Sequence, residues 1–490
     1  MEKMMGPIVF PVINLKSIFP ELMVVITALV VLLCDLSLSK DKKAPLPFLS
    51  ILGLVCSLIF SISMWREGVA EYAFSNMIVI DRFTLFFNSL FIVATIITIL
   101  ISVNYIREEG INYGEYYVLV LLATVGMMFM AKANDLMIVF LGLETLSISI
   151  YVLVGFLRTN VKSNEASLKY FLLGAFSSGF LLYGIALIYG ATGTTKLPDI
   201  ARYIENTPHL LSNPMLLASI GLLIVGFGFK VALVPFHMWT PDVYEGAPTS
   251  ITAFMSVGVK AAAFSAFLRV FLTSFPSFRV DWTMILWVLA VVTMTLGNIV
   301  AISQENIKRM LAYSSIAHAG YILVAMTAGG DMATASIIYY LMAYTIMNLG
   351  AFAIVIIYGK KGEENILISD YAGSGFKYPF LSVAMVIFMF SLAGIPPLAG
   401  FIGKFYIFGA AVKQGFIWLT IIAVLNSVVA TYYYLRVTVI MYMREPVKEV
   451  GQLSYSIPIV IALIITTFFT LHMGILPSCY LELAKESIAM

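Results

Sequence analysis

Three lysines and one glutamate stand where a chain this apolar should carry only hydrocarbon. In GFGFKVALVPFHMWTPDVYEGAPTSITAFMSVGVK (226–260), Lys230 lies deep in an apolar run that Pro235 breaks, and Lys260 sits well inside the next run. Lys404 follows a proline pair in SLAGIPPLAGFIGKFY (391–406). Glu144, in DLMIVFLGLETLSISIYVL (135–153), is about 13 Å along a helix from Asp135. A charge at the centre of a bilayer costs roughly 2.5–3.5 kcal/mol even on lenient insertion scales, so such groups are functional by default. The chemistry on offer is proton movement: a carboxylate that nears or leaves a lysine decides whether the amine keeps its proton. An ion pair at about 4 Å and a dielectric of about 20 is worth about 4 kcal/mol. Moving one charge across about 150 mV needs roughly 3.5 kcal/mol, so one pair suffices for one proton.

Four further groups are weaker candidates. Lys169 lies near the start of a span, four residues after Glu165, the spacing of a surface pair. His318, in LAYSSIAHAGY (311–321), and His237, beside the first break, are of the residue type that titrates near neutrality, although a lone helical histidine more often packs than reacts. Asp242 and Glu245, in TPDVYEGAPTS (240–250), read either as proton collectors at an entrance or as helix caps. Glu21, Arg269 and Arg436 read as structural or as lying at subunit contacts, and Tyr432 to Tyr434 as an interfacial cluster.

The elements that must position these groups are membrane helices. With 61% hydrophobic and 11% charged residues, the chain is no water-soluble globule, and its apolar runs have helical rather than barrel length. The fold class expected is all-α, with about fourteen transmembrane helices. They lie near 19–38, 45–64, 83–105, 115–131, 134–157, 166–190, 213–238, 250–274, 281–303, 306–327, 333–358, 379–412, 415–443 and 455–476, the first retained rather than cleaved. Pro235 and the Pro396-Pro397 pair interrupt the seventh and twelfth spans. Paired breaks are the sequence pointer to an inverted repeat with its ion site at the break. The expected division is a three-helix segment (1–114), a five-helix repeat (115–274), its inverted counterpart (275–443) and a final helix with tail (444–490). An even span count puts both termini on one side. KDKK (40–43), Arg158 with Lys162, Lys308-Arg309, Lys360-Lys361 and Arg444 with Lys448 slightly favour the outer, periplasmic side for the termini.

Other chemistry is excluded. A net charge of +2 dispersed over short loops indicates no nucleic acid. Cys34, Cys56 and Cys479 form no CxxC or Cys/His cluster, so no metal or iron–sulfur site is expected. GATGTT (190–195) and GFGFK (226–230) lack the glycine spacing of nucleotide loops.

FKVALVPFHMWTPDVYEGAPTSITAFMSVGVKAAAF (229–264), ENIKRMLAYSSIAHAGY (305–321) and GIPPLAGFIGKFYIF (394–408) resemble the antiporter-like membrane subunits of bacterial respiratory complex I, over nearly the whole chain. The resemblance implies a proton-translocating subunit of the inner membrane. Glu144 and Lys230 would form an uptake pair, Lys260 a relay and Lys404 an exit group, with Lys169 on the sixth helix and His318 on a central polar axis. It also implies that NAD, FMN, iron–sulfur clusters and quinone belong to partner subunits, none to this chain, and that neighbouring membrane-arm subunits flank it. Two alternatives stand beside it: a cation/proton antiporter subunit of the multisubunit sodium-exchanger type, and a proton-silent scaffold. Sodium exchange calls for a carboxylate-rich oxygen site, against which the mid-membrane lysines argue.

Overall fold

The computed structural model describes residues 14–39, 43–68, 70–359, 365–446, 453 and 455–488, without the side chain of residue 209. Lys40, Lys42, Lys360, Lys361 and Lys448, invoked for orientation, lie outside the described residues. Among those described, α1 (Phe19–Ser37), α2 (Pro45–Glu67) and α3 (Arg82–Glu108) form an N-terminal group, with a hairpin of β1 (Glu71–Ala73) and β2 (Ile78–Ile80) between α2 and α3. Next come α4 (Gly114–Lys132), α5 (Leu136–Val154), α6 (Val161–Thr192), the short α7 (Leu197–Glu205), α8 (Pro214–Val231) and α9 (Thr240–Gly246). Then α10 (Thr249–Phe254) and α11 (Lys260–Ser274), joined by a π-helical turn, make one span. The remaining helices are α12 (Arg279–Ile302), α13 (Ile307–Ala328), α14 (Asp331–Tyr358), α15 (Ser374–Lys377), α16 (Pro379–Ala393), α17 (Ala399–Lys413), α18 (Ile417–Met443), α19 (Ile457–Ile475) and α20 (Ser478–Glu486). Among the described residues thirteen spans are long and apolar enough to cross a membrane, and α16 is a shorter apolar helix, followed by α17. Helices are the only open-ended solution here, because in hydrocarbon each backbone group must find its partner within its own segment.

Caps fix where the helices start. Asp81, Asp135, Asn160, Asn213 and Asn306 each accept a hydrogen bond from a first-turn backbone N–H of α3, α5, α6, α8 or α13. Close crossings then set the packing. A Cβ on Gly126 of α4 would stand 2.5 Å from the Leu146 nitrogen of α5, and one on Gly297 of α12 2.8 Å from the Ala317 nitrogen of α13. The span Thr249–Ser274 is wholly buried and Ile307–Ala328 is 94% buried, whereas the outer helices are about one-third buried. Lys260 and His318 therefore ride on the innermost elements of the bundle.

Both interrupted spans are built alike, but not as the proline argument expects. α8 ends at Val231 with Ala232 left-handed (φ 62°), and α16 ends at Ala393 with Gly394 left-handed (φ 89°). In each, the next residue's N–H reaches back five positions: Leu233 to the Gly228 carbonyl at 2.8 Å, and Ile395 to the Phe390 carbonyl at 3.0 Å. This is the Schellman way of closing a helix. Pro235 and Pro397, each following a cis peptide bond, come three residues after the left-handed position. The prolines thus lie beyond a helix end that is already closed.

Of the charges read as structural, Glu21 is paired with Lys132 at 2.6 Å, both buried. Arg269 meets Asp81 through both Nη atoms at 2.8 and 2.9 Å, tying α11 to the start of α3. Breaking a buried pair by removing one partner costs about 3–5 kcal/mol, because the other charge is stranded. Arg269→Met should therefore lower the thermal unfolding midpoint sharply. The double variant Arg269→Met/Asp81→Ser, which keeps a capping oxygen without the charge, should recover more than half of that loss.

Candidate functional site

Glu144 and Lys230 face each other without touching. On α5, Glu144, Ser147 and Tyr151 fall on one stripe of the helix. Lys230, in the last turn of α8, donates from Nζ to Ser147 Oγ at 2.7 Å and lies 5.2 Å from the Tyr170 ring centre. The Glu144 carboxylate accepts instead from the Ser178 hydroxyl of α6. Glu144 is within electrostatic reach of Lys230. Yet among the described residues no ion pair joins them, and Ser147 takes the place of the direct contact expected from sequence. Lys230 is 2% exposed. Glu144 is only half-buried, on a side of the bundle where Leu141, Ile148 and Phe176 are open.

Lys260 follows the π-helical turn Met255–Val259, an element frequent at functional sites. Its Nζ donates to the carbonyl and to the hydroxyl of Ser315 on α13, each at 2.5 Å. Three residues on, His318 is bracketed by phenols: Nδ1 is 2.5 Å from Tyr340 Oη and Nε2 is 3.0 Å from Tyr434 Oη, which itself lies 2.5 Å from Ser314 Oγ. Ser315, which holds Lys260, and His318 thus lie one turn apart on α13.

Lys404, on α17, turns back to the preceding half-helix. Its Nζ donates to the carbonyls of Leu392 (3.0 Å) and Ala393 (2.9 Å) and to Ser427 Oγ (3.0 Å), above the Tyr321 ring at 4.8 Å. Those carbonyls end α16, so they have no partner within their own helix and carry its negative pole. At 1.5 Å per residue, Glu144 is about 12 Å from the start of α5, His318 about 16 Å from the start of α13 and Lys404 about 13 Å from the end of α17. All sit near the middle of an apolar layer about 30 Å thick. Among the described residues, the Tyr170 hydroxyl, Thr240 Oγ1 and Asn348 Oδ1 are buried without a hydrogen-bond partner.

The structure does not bring Lys169 or His237 into that row. Lys169 is paired with Asp242 of α9 rather than with Glu165. Arg309 Nη1 bridges Asp242 (2.8 Å) and Glu245 (2.9 Å), and Lys162 Nζ reaches Glu245 at 2.8 Å. Burial pushes both carboxyls up, but the hydrogen bonds and charges of the flanking cations outweigh it and hold Asp242 and Glu245 below their ordinary values. His237 is half-buried in the loop between α8 and α9, and no hydrogen bond joins it to the row among the described residues. Tyr433 and Tyr434 are not interfacial: both are buried, whereas Tyr432 is exposed. Sequence reasoning missed Tyr340, Tyr434 and the serines Ser147, Ser178, Ser315 and Ser427. For Ser147 a signal exists, since it falls one turn from Glu144 on the same face.

Residues 133–430 match the family described as NADH:quinone oxidoreductase/Mrp antiporter, TM. NADH-quinone oxidoreductase subunit N of Trichlorobacter lovleyi is 51% identical over 481 residues, 98% of each chain. Among solved structures, a chain of respiratory complex I from Thermus thermophilus with bound aureothin is 33% identical with a TM-score of 0.81, covering 95% of this chain and 99% of that one. A chain of the Mrp complex from Dietzia sp. DQ12-45-1b shares the fold at 20% identity, TM-score 0.84, with 97% of each chain covered. The chain belongs to the family of antiporter-like membrane subunits of NADH-quinone oxidoreductase, on its subunit N branch.

Proposed function

We propose that this chain translocates protons in the membrane arm of a bacterial respiratory NADH-quinone oxidoreductase, driven by redox chemistry in partner subunits that hold NAD, FMN, iron–sulfur clusters and quinone. One observation carries the reading: Lys230, Lys260, His318 and Lys404 are all buried, each hydrogen-bonded to neutral oxygens that both accept a proton and let it go. A counter-charge in contact would hold an ammonium charged. Serine and tyrosine hydroxyls do not, and each offers a donor and lone pairs along which a proton hops.

The proposed order of steps runs from the carboxylates of α9 to Lys404. Asp242 and Glu245, ionised at the membrane face, concentrate protons near the mouth beside Lys169. Glu144, held by Ser178, shifts the hold of Lys230 on its proton, and Ser147 lies between the two on the same helix face. Lys260 passes the proton by way of Ser315 toward His318. The Tyr340 and Tyr434 hydroxyls lead on from the imidazole, and Lys404 releases it. We assign residues 115–274 and 275–443 to two inverted repeats, supported by the matching helix ends at Ala232 and Gly394 and by the glycine crossings of α4 on α5 and α12 on α13. In this reading both termini face outward, across the bacterial inner membrane from the Asp242 mouth.

Neighbouring subunits have a place to bind. Met238 is 70% exposed in the irregular segment after α8, and lipid does not tolerate irregular backbone at membrane depth. Together with half-buried Glu144 it marks sides of the bundle that other membrane-arm subunits cover.

In the assembled enzyme, Lys230→Met or Glu144→Gln should reduce proton pumping by about a hundredfold, the usual worth of a positioned proton donor or acceptor, measured against quinone reduction. Pumping at the native ratio in an assembled variant would contradict the reading. Ser147→Ala, which removes one hydrogen bond to a charged group, should act more mildly, by about tenfold.

A further inference from the structure

Lys169 is the family-expected lysine that the row leaves out, and its surroundings give it a different task. It is about one-third exposed and held by a carboxylate. That carboxylate, Asp242, sits on α9, a helix of seven residues lodged against α6 and α13. Cations from both neighbours grip α9: Lys162 and Lys169 from α6, Arg309 from α13. Directly before α9, Trp239 stacks on Tyr170 with ring centres 4.4 Å apart and donates from Nε1 to the Phe229 carbonyl at 3.0 Å. Tyr170 is the residue after Lys169, and its ring lies 5.2 Å from the Lys230 ammonium. The ion pair and the aromatic cover over Lys230 are therefore adjacent on the same two elements.

We propose that Lys169 is a positioning residue: as a fixed cation it clamps α9 to α6, which keeps Trp239 and Tyr170 closed over Lys230, and it does not itself hand on protons. The proposal rests on the relay reading above, since a cover over Lys230 matters only if Lys230 carries protons. Arginine separates the two roles. It keeps the pair with Asp242 but stays protonated in proteins, so it can clamp and cannot relay.

The test uses the assembled enzyme in vesicles, with proton pumping and quinone reduction measured on Lys169→Ala, Lys169→Arg and Lys230→Arg. The clamp predicts that Lys169→Ala lowers pumping per quinone reduced by about tenfold, that Lys169→Arg restores it to within about twofold, and that Lys230→Arg stays inactive, the loss expected from one hydrogen-bonded charge. Failure of Lys169→Arg alongside Lys230→Arg would make Lys169 a carrier and overturn the proposal. Native pumping in Lys230→Arg would remove the relay instead, leaving the cover nothing to guard. Hydrogen exchange supplies a readout that a carrier would not move: Asp242→Asn should speed exchange of the α9 amides by about tenfold while Lys169→Arg leaves them native. Unchanged exchange in Asp242→Asn would overturn the clamp directly.

Discussion

An ammonium group taken out of water must find oxygen, and that requirement organises this bundle. The bilayer centre penalises a bare charge by roughly 2.5–3.5 kcal/mol or more, and an unbroken helix has no backbone carbonyl to spare. Ending a helix inside the membrane frees carbonyls at its C-terminus together with the negative end of its dipole. Lys404 uses this device, its Nζ lying 2.9–3.0 Å from the closing carbonyls of α16. Lys260 uses another, a π turn on its own helix and the carbonyl and hydroxyl of Ser315 opposite. The left-handed residue Gly394, which closes α16, thus serves the Lys404 site as much as the fold.

Five of the buried cations divide into two kinds. Lys132 with Glu21 and Arg269 with Asp81 meet a carboxylate at 2.6–2.9 Å, and such pairs fasten the N-terminal helices to the bundle. Lys230, Lys260 and Lys404 meet neutral oxygens, and the carboxylate of Glu144 is bound to a serine of another helix. The first arrangement locks a charge in place. In the proposed relay, the second leaves the proton free to move and makes the half-buried Glu144 the point of control.

Much of this was legible in the residues. The spans follow from apolar runs of bilayer length, and the breaks from Pro235 and Pro396-Pro397, although each helix closes on a left-handed residue before its proline. The seven-residue helix α9 was hidden because TPDVYEG carries turn and cap residues and little apolar pattern. The lysines were conspicuous because charge is rare in such runs. Their serine and tyrosine partners were not, since hydroxyls are common in membrane helices and only the fold brings Ser315 to Lys260 or Tyr434 to His318. Lys132 escaped notice for the opposite reason: it ends a span, where a long side chain usually snorkels to water, yet here it is wholly buried. Tyr433 and Tyr434 misled in the same way, sitting in a run whose exposed member, Tyr432, alone fits an interfacial belt.

The central claim is that these amines exchange their protons while remaining inside the bundle. Nitrogen-15 magnetic resonance of the lysine Nζ atoms, assigned by single Lys→Arg substitutions in the assembled enzyme, reads it directly. The account predicts that under turnover the Lys230, Lys260 and Lys404 signals each show both ammonium and neutral amine. Permanently protonated signals at all three positions, at rest and during turnover alike, would contradict it.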